Sequence, residues 1–163
     1  MYSLVSYSLT LSKKVLWQII ILLCLFLGSC NLTSNPSRIT TTAQVTRVIS
    51  GQTIEVVFEQ PDRPQRVRII GIDVPKLDHN QDRTKIRLQK FIGNTQVNLE
   101  LESSETDRYE RLLAHVWYGD VLVSEQLAKE GYVIANNQYS HKYSDRLFYA
   151  QEYARILGYG IWH

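Results

Sequence analysis

The chain has 163 residues, 44% of them hydrophobic, with 18 basic and 16 acidic residues and a formal net charge of +2. This length suits one domain, with or without a targeting segment. The near-neutral charge argues against a long basic surface of the kind that binds nucleic acid without sequence preference. Both cysteines, Cys24 and Cys30, precede the predicted folded region. We therefore expect no disulfide, zinc site or cysteine nucleophile within that region.

The first 29 residues have the features of a bacterial lipoprotein signal peptide. Lys13 and Lys14 precede an almost wholly apolar run over residues 15–27. This run is short for a transmembrane helix and lacks the polar face of an amphipathic helix. It leads into a Leu-Gly-Ser-Cys sequence ending at Cys30, which resembles a lipobox, where the chain is cut before a cysteine that then carries diacylglycerol. We predict a signal peptide over residues 1–29 and a lipid anchor on Cys30, with a plain secretory signal as the alternative.

The lipid anchor would hold the protein in the cell envelope, on the extracytoplasmic side of a membrane. Residues 30–42 are rich in Ser, Thr and Asn and contain one Pro, so we predict a flexible tether. The folded domain is predicted over residues 43–163. Removal of Lys13 and Lys14 with the signal peptide leaves 16 basic and 16 acidic residues, so the mature protein is formally neutral.

The folded region begins with three predicted strands. Apolar and polar residues alternate over Ala43–Ser50 and Gln52–Glu59, which are joined at Gly51, and this pattern is typical of a β-hairpin. A Pro-rich turn over residues 60–64 leads into a third predicted strand, Val67–Ile72. The three strands predict an antiparallel meander.

A helix is predicted next, from Asp82 as its N-cap to Ile92, with Gly93 after its end. Two further strands are predicted over Gln96–Glu102 and Leu112–Tyr118, and a second helix over Val121–Gly131.

The last helix is indicated by an apolar stripe at helical spacing, and Gly158 ends it. The stripe consists of Leu147, Ala150, Ala154 and Leu157. Five strands with a helix between the third and the fourth follow the order of an OB-fold. We therefore predict an α+β fold built on a five-stranded antiparallel Greek-key β-barrel with three helices.

Five segments of the folded region, in this order, resemble the thermonuclease family, the staphylococcal nuclease-like proteins. They are VISGQTIEV, VRIIGIDVPK, TDRYERLLAHVW, LVSEQLAKEGYV and LGYGIW, and the resemblance spans nearly all of residues 43–163. It implies an OB-fold barrel, calcium as cofactor, and hydrolysis of DNA and RNA phosphodiesters. Nucleic acid or nucleotide phosphates are then the expected binding partners.

The resemblance implies a role for five residues that match the family's site. Arg68 and Arg111 fall on the two arginines that grip the phosphate and stabilise charge on its oxygens. Asp73 falls on an aspartate that binds calcium. Arg108 and Tyr109 fall on the positions that hold the terminal phosphate of the substrate.

Two positions depart from the family pattern. Gln52 stands where the family has a second calcium-binding aspartate, and Lys76 stands where it has the glutamate that activates the attacking water. The formal charge of the site falls from about minus three to about zero, with Lys76 facing Asp73. Calcium affinity depends on ligand charge and on 6–8 oxygen ligands, and an ammonium repels the ion. Pairing of Lys76 with Asp73 is one expected outcome.

These departures favour a weak or inactive nuclease that keeps a phosphate-binding pocket. One alternative is an active surface nuclease in which Asp78 or Asp82 supplies the missing carboxylate. The other is a purely structural or interaction module in an OB-fold.

Ordinary structural roles compete with the functional ones at several positions. Asp73 could accept hydrogen bonds within a turn, and Arg111 could pair with Glu110 or Asp107 at the surface. His115 alternates within a predicted strand, which favours a partly buried residue with satisfied hydrogen bonds over a catalytic base. The tyrosines of the C-terminal third suit packing first and base stacking second.

Overall fold

The computed structural model describes residues 40–163, except residues 61–62, 78, 137 and 139 and the side chains of residues 103–105. The predicted signal peptide, the lipidation site at Cys30, almost all of the tether and Asp78 lie outside these described residues. None of the helices in the described part is long and apolar enough to cross a membrane.

A closed β-barrel forms the centre of the domain. Strands β1 (Thr41–Ser50), β2 (Thr53–Phe58) and β3 (Pro64–Ile69) form the predicted antiparallel meander. Strand β5 (Gln96–Thr106) pairs with β1, and β6 (Leu112–Tyr118) pairs with β5. Parallel pairing of β3 with β6 closes the barrel, which confirms the predicted OB-fold and α+β class.

Two short pairings add to the barrel. The predicted strand Val67–Ile72 is wrong at its end, because Gly71 has φ +79° and turns the chain after β3. The next residues form β4 (Ile72–Asp73), which pairs with β8 (Ile134–Ala135) in a separate two-stranded sheet. Strand β7 (Val121–Leu122) pairs with β6 at the sheet edge.

Helix α1 runs from Asn80 to Ile92 between β4 and β5. The prediction of Asp82 as N-cap is wrong, because His79 occupies that position in a left-handed conformation and Asp82 lies in the first helical turn. The predicted end at Ile92 is confirmed, with Gly93 as the C-cap.

The two remaining helices pack against each other. Helix α2 (Val123–Lys129) is shorter than predicted, since residues 121–122 are part of β7. Helix α3 (Ser144–Leu157) ends at the left-handed Gly158, as the sequence predicted. A 3₁₀ turn over Gly160–Trp162 follows.

The hydrophobic core fills the barrel and continues under the helices. Buried residues of β1, β2, β3, β5 and β6 form it, and Leu88 and Ile92 of α1 join them. In β6 four consecutive residues, 114–117, are buried. From α3, Leu147, Ala150 and Ala154 are buried as predicted. Leu157 is exposed, contrary to the predicted stripe, because it stands in the last turn just before Gly158.

Candidate functional site

Arg68 is held rigidly at the end of β3. Its Nη1 donates to the Ile69 carbonyl at 2.9 Å, and its Nη2 donates to the Ile72 carbonyl at 2.9 Å. Nη2 also donates to Asp73 Oδ1 at 2.8 Å. The left-handed turn at Gly71 brings these acceptors back onto the guanidinium. The Arg68 side chain is only 14% exposed, so its charged group is fixed in place before any ligand arrives.

Arg68 and Arg111 are close enough for their charges to interact. Burial lowers the pKa of Arg68; the carboxylate of Asp73 raises it and the charge of Arg111 lowers it again. A guanidinium stays protonated under all physiological conditions. Two partly dehydrated cations therefore lie side by side, an arrangement that an anion between them would stabilise.

Arg111 is positioned by the loop that precedes β6. Its Nε and Nη2 donate to Asp107 Oδ2 at 2.9 and 2.6 Å, and its Nη1 donates to Thr53 Oγ1 at 3.3 Å. The other Asp107 oxygen accepts the backbone N–H groups of Tyr109 and Arg111. The loop tightens at Glu110, which has φ +59°. Of the two pairings that the sequence allowed for Arg111, the structure contains the one with Asp107.

The environment of Asp107 keeps it ionised. Burial alone would raise the pKa of Asp107, but hydrogen bonds from the Arg111 guanidinium and from the N–H groups of Arg111 and Tyr109 outweigh it. The pKa of Asp107 is therefore lowered. Asp107 fixes the direction of the Arg111 side chain.

Both arginines line one cleft of about 300 Å³, which we call the arginine cleft. The other lining residues come from the turn after β3, from β5 and β6, and from the segment before α3. They are Ile70, Gly71, Glu102, Asp107, Leu113, Asn136, Ser140 and His141. The lining combines two guanidiniums with two carboxylates, Glu102 and Asp107, and with apolar and neutral hydrogen-bonding groups. The guanidiniums are the groups that would contact a phosphate attached to a larger organic group.

Arg108 and Tyr109 lie in the loop beside Arg111. The Tyr109 ring is exposed, and its centroid is 4.8 Å from the Arg108 Cζ and 5.0 Å from the Arg111 Cζ. The two residues that the resemblance assigned to the substrate's terminal phosphate thus lie next to Arg111. The ring contacts are of cation–π type.

A second cleft, of about 320 Å³, contains the two positions that depart from the expected pattern. Gln52, Asp73 and Lys76 line it, together with Ser50, Gly51, Val74 and Gln81. The Gln52 Oε1 accepts the backbone N–H of Val74 at 3.1 Å. This oxygen is therefore already used within the protein.

Asp73 lies between the two clefts. Its Oδ1 accepts from Arg68 at 2.8 Å and its Oδ2 accepts from Asn136 Nδ2 at 2.6 Å. The sequence left open that Asp73 accepts hydrogen bonds within a turn; in the structure its oxygens accept from the side chains of Arg68 and Asn136. Pairing of Asp73 with Lys76 was the wrong expectation, because within the described region Arg68 is its ion-pair partner and Lys76 has none.

The residues of the second cleft do not fit a calcium ion. Asp73 is the one carboxylate among the described residues that line it, and both Asp73 oxygens already accept hydrogen bonds. Gln52 contributes a neutral oxygen that is already paired, and Lys76 adds a positive charge. Over residues 40–163, as far as they are described, no cluster of three or more His, Cys, Asp or Glu side chains could hold a metal. Calcium requires 6–8 oxygens and a surplus of negative charge.

The substitute carboxylates predicted from the sequence find little support. Asp82 is exposed on the first turn of α1, and its neighbour Gln81 is the α1 residue that lines the second cleft. Asp78 lies outside the described residues.

His115 differs from its predicted role. It is buried, with 1% of its surface exposed, and neither ring nitrogen has a hydrogen-bond partner. The expectation of satisfied hydrogen bonds is therefore wrong. Burial, followed by the nearby His141, lowers the pKa of His115 to about 4. Its ring packs edge-on against Tyr143 at 4.6 Å between centroids, so it belongs to the core beneath the arginine cleft.

Sequence reasoning missed Asn136, Glu102 and His141, all of which line the arginine cleft. Asn136 follows β8, and it reaches Asp73 because β8 pairs with β4. The two residues are 63 positions apart in the chain. A strand of two residues has no periodicity to detect, so no local signal could have identified this contact.

Comparison with known proteins agrees with this geometry. The family described as "Staphylococcal nuclease homologue" matches residues 66–163. The chain belongs to this family. It is 35% identical to the thermonuclease of Staphylococcus hyicus over 74% of this chain and 75% of that protein. It is 33% identical to the thermonuclease of Staphylococcus intermedius over 72% of this chain and 74% of that one.

A third relative covers more of the chain. An uncharacterized endonuclease of Haemophilus influenzae is 29% identical over 93% of this chain and 80% of its own length. The resemblance to thermonuclease-like proteins is thus confirmed, and with it a nuclease-type function in the broad sense. Family membership alone does not specify which chemistry a site performs. Whether this chain hydrolyses phosphodiesters or only binds phosphates depends on the residues at the two clefts.

Proposed function

We propose that this chain is an envelope-anchored member of the nuclease family that binds phosphates of nucleic acid and has little or no calcium-dependent hydrolysis. One observation carries the proposal. Hydrogen bonds fix the two arginines in place, while the oxygens at the neighbouring metal position are already used. The Asp73 carboxylate accepts from Arg68 and Asn136, and the Gln52 amide oxygen accepts from the Val74 N–H.

The case for phosphate binding rests on preorganisation. Arg68 is fixed by three acceptors and Arg111 by Asp107 and Thr53. Both groups line one cleft, so a phosphate entering it would meet two charge-assisted donors without the entropic cost of ordering them. A polar wall formed by Asn136 and Ser140 adds neutral hydrogen-bonding groups.

The case against calcium rests on charge. At roughly 4 Å, two unit charges interact by about 4 kcal/mol at an effective dielectric near 20, and a divalent ion doubles this figure. Lys76 in the second cleft therefore opposes the ion as strongly as Asp73 attracts it, if both lie at such a distance. Asp73 would also have to exchange its contacts with Arg68 and Asn136 for the metal.

Loss of the metal and of the water-activating carboxylate would remove most of the rate enhancement. One positioned general base contributes about 10²–10⁴-fold, and a metal ion offsets charge on the phosphoryl oxygens. The two losses act on one assembly and will not multiply. Arg68 and Arg111 would still stabilise charge on a bound phosphate, so the residual rate should be small.

The two alternatives make different predictions. An active nuclease with substitute carboxylates would show chelator-sensitive cleavage that depends on Asp78 or Asp82. A purely structural module would show no phosphate affinity at the arginine cleft. The convergence of two half-buried, ion-paired guanidiniums on one cleft favours the binding protein over the structural module.

The proposed location follows from the sequence before the domain. The two lysines, the apolar run over residues 15–27 and Cys30 occur in the order of a lipoprotein signal. A lipid anchor at Cys30 would hold the domain outside the membrane, where it could meet extracellular nucleic acid.

The test compares the wild type with a variant that restores both carboxylates, Gln52→Asp with Lys76→Glu. Both proteins are assayed on single-stranded DNA with millimolar calcium and with a chelator. We expect cleavage near the detection limit for the wild type and chelator-sensitive cleavage for the double variant. A matched control, Gln65→Asp with Lys85→Glu, makes the same changes of residue type on β3 and α1, away from both clefts, and should stay inactive. Robust, chelator-sensitive cleavage by the wild type would overturn the proposal.

A further inference from the structure

Helix α3 exposes a large aromatic and aliphatic surface on the side opposite its buried residues. Tyr149 is 70% exposed, Tyr153 44% and Ile156 76%, and Tyr159 just after the helix is 45% exposed. Positions 149, 153 and 156 lie on one face by helical spacing, whereas the core contacts come from Leu147, Ala150 and Ala154. An apolar patch on the exposed face of a helix marks a surface that contacts a second partner. We call these four exposed residues the tyrosine face.

The chemistry of the tyrosine face suits a boundary between water and hydrocarbon. Tyrosine has an apolar ring and a polar hydroxyl, and such side chains concentrate at membrane interfaces. The rings of Tyr153 and Tyr159 are 6.1 Å apart between centroids, so they form a continuous patch. The ammonium of Lys129 lies 5.1 Å from the Tyr153 ring centroid, at the edge of this patch.

The charges around the face argue against nucleic acid as its partner. Binding of single strands needs a cationic track beside the aromatic rings. Here the Arg155 guanidinium is paired with Glu152 at 2.7 Å, on the same helix. Arg146 is likewise paired with Glu125. Lys129 adds one ammonium at the edge, while Arg155 and Arg146 are each paired with a glutamate. The border therefore has little net charge, and an apolar partner fits it better than a polyanion.

The proposed lipid anchor before the domain places an apolar partner, the bilayer, close to the tyrosine face. If Cys30 carries the proposed anchor, residues 31–40 separate the lipid from the first strand. Ten residues span at most about 35 Å, and a folded domain of this size is about as wide. The domain therefore cannot move more than about its own diameter from the bilayer. At such a short distance a weak surface contact is strengthened by effective concentration.

We propose that the tyrosine face of α3 docks on the lipid surface to which the chain is anchored. This inference rests on the proposed lipid anchor but adds a contact that the anchor alone does not require. Because its border is nearly neutral, docking should depend little on anionic lipid and should persist at high salt.

The test uses the protein as processed in cells, without residues 1–29, in phosphatidylcholine vesicles, with a polarity-sensitive dye on a cysteine introduced by Ile156→Cys. The matched control is Ile86→Cys on α1, where an isoleucine is similarly exposed at 55%. The unsubstituted chain reports any labelling of its own cysteines. We expect the emission of the dye at position 156 to shift to shorter wavelength when vesicles are present, and the emission at position 86 to stay the same. The shift at position 156 should persist in 0.5 M salt. Adding Tyr149→Ser and Tyr153→Ser should abolish the shift.

Each failure has a separate signature. A chain that sediments with the vesicles but gives no shift at position 156 would overturn docking and leave the anchor intact. Equal shifts at positions 156 and 86 would contradict a specific face. A shift produced by single-stranded DNA without vesicles, and lost in salt, would identify nucleic acid as the partner instead. A chain that does not sediment would remove the anchor, and the docking proposal would fall with it.

Discussion

The side-chain oxygen of Gln52 accepts a hydrogen bond from the backbone N–H of Val74 at 3.1 Å. This contact ties the β1–β2 turn to the segment that follows β4, and it uses the oxygen that a metal would need. Asp73, one residue before Val74, is likewise occupied by Arg68 and Asn136. Internal hydrogen bonds therefore use the side-chain oxygens of Gln52 and Asp73 in the second cleft.

The arginine pair should bind a nucleoside bisphosphate without calcium. We expect micromolar to millimolar affinity, corresponding to roughly 4 to 8 kcal/mol, and weaker binding at higher salt. Arg68→Ala and Arg111→Ala should each reduce it, because each removes a charge-assisted donor. Titration calorimetry measures the affinity, with circular dichroism to verify folding.

The matched control for this titration is Arg47→Ala. Arg47 is an exposed arginine of β1 whose ion pair with Glu55, at 3.0 Å, lies outside both clefts. Its removal should leave the affinity unchanged. Equal affinity in the wild type, Arg68→Ala and Arg111→Ala would remove the phosphate pocket from the account.

Most of the fold could be predicted because it depends on local patterns. Strand alternation gives the meander and β6, and glycine at positions 93 and 158 gives two helix ends. The break after β3 was missed, because apolar residues on both sides of Gly71 read as one strand. The left-handed conformation of Gly71 and the pairing of β4 with β8 show that the chain turns there.

The site could be predicted in its residues but not in its contacts. The resemblance assigned Arg68, Asp73 and Arg111, and the sequence left open what each would contact. Asn136, which completes the shell of Asp73, is supplied by a segment 63 positions away. Such contacts depend on how the elements pack, and a single sequence contains no record of that packing.

The loop that positions Arg111 contains a strained backbone conformation at Glu110, and its energetic cost can be measured. Glu110 has φ +59°, where residues with a Cβ are disfavoured. Glu110→Gly should raise the free energy of unfolding by about 0.5–1 kcal/mol, measured by urea denaturation. Asn94→Gly is the matched control. Asn94 has φ +58°, but asparagine tolerates this region, so the substitution should change the free energy of unfolding less than Glu110→Gly does. A loss of stability in Glu110→Gly would contradict this interpretation.

The buried His115 should make stability depend on pH. Its pKa in the folded protein is about 4, against an ordinary value of 6.5, so between these values the unfolded chain takes up a proton that the folded chain does not. The free energy of unfolding should therefore fall as the pH decreases through this window, by roughly 2–3 kcal/mol from this residue.

His115→Phe should remove most of that loss, since phenylalanine has no proton to gain. Thermal or urea denaturation between pH 7 and pH 4 measures the slope. His163→Phe, at the exposed C-terminal residue, serves as the control and should leave the slope unchanged. An undiminished slope in His115→Phe would show that other groups govern the acid sensitivity.

Lipidation at Cys30 should hold the protein in the membrane fraction of the cell. Cys30→Ala removes the thiol that would carry the diacylglycerol, so the variant should leave that fraction on washing. Cys24→Ala, within the apolar run, is the matched control and should behave as the wild type. Full membrane retention of Cys30→Ala would refute the lipobox.

Calcium binding by the full chain, measured by titration calorimetry, tests the central claim most directly. Extracellular calcium modules bind in the range of about 10⁻⁴–10⁻³ M, so the titration should extend through millimolar calcium. We predict no saturable binding by the wild type and saturable binding by the variant with Gln52→Asp and Lys76→Glu. Saturable binding by the wild type that is lost in Asp73→Asn would contradict the account, because it would show that a calcium ion displaces the contacts of Asp73 with Arg68 and Asn136 despite Lys76.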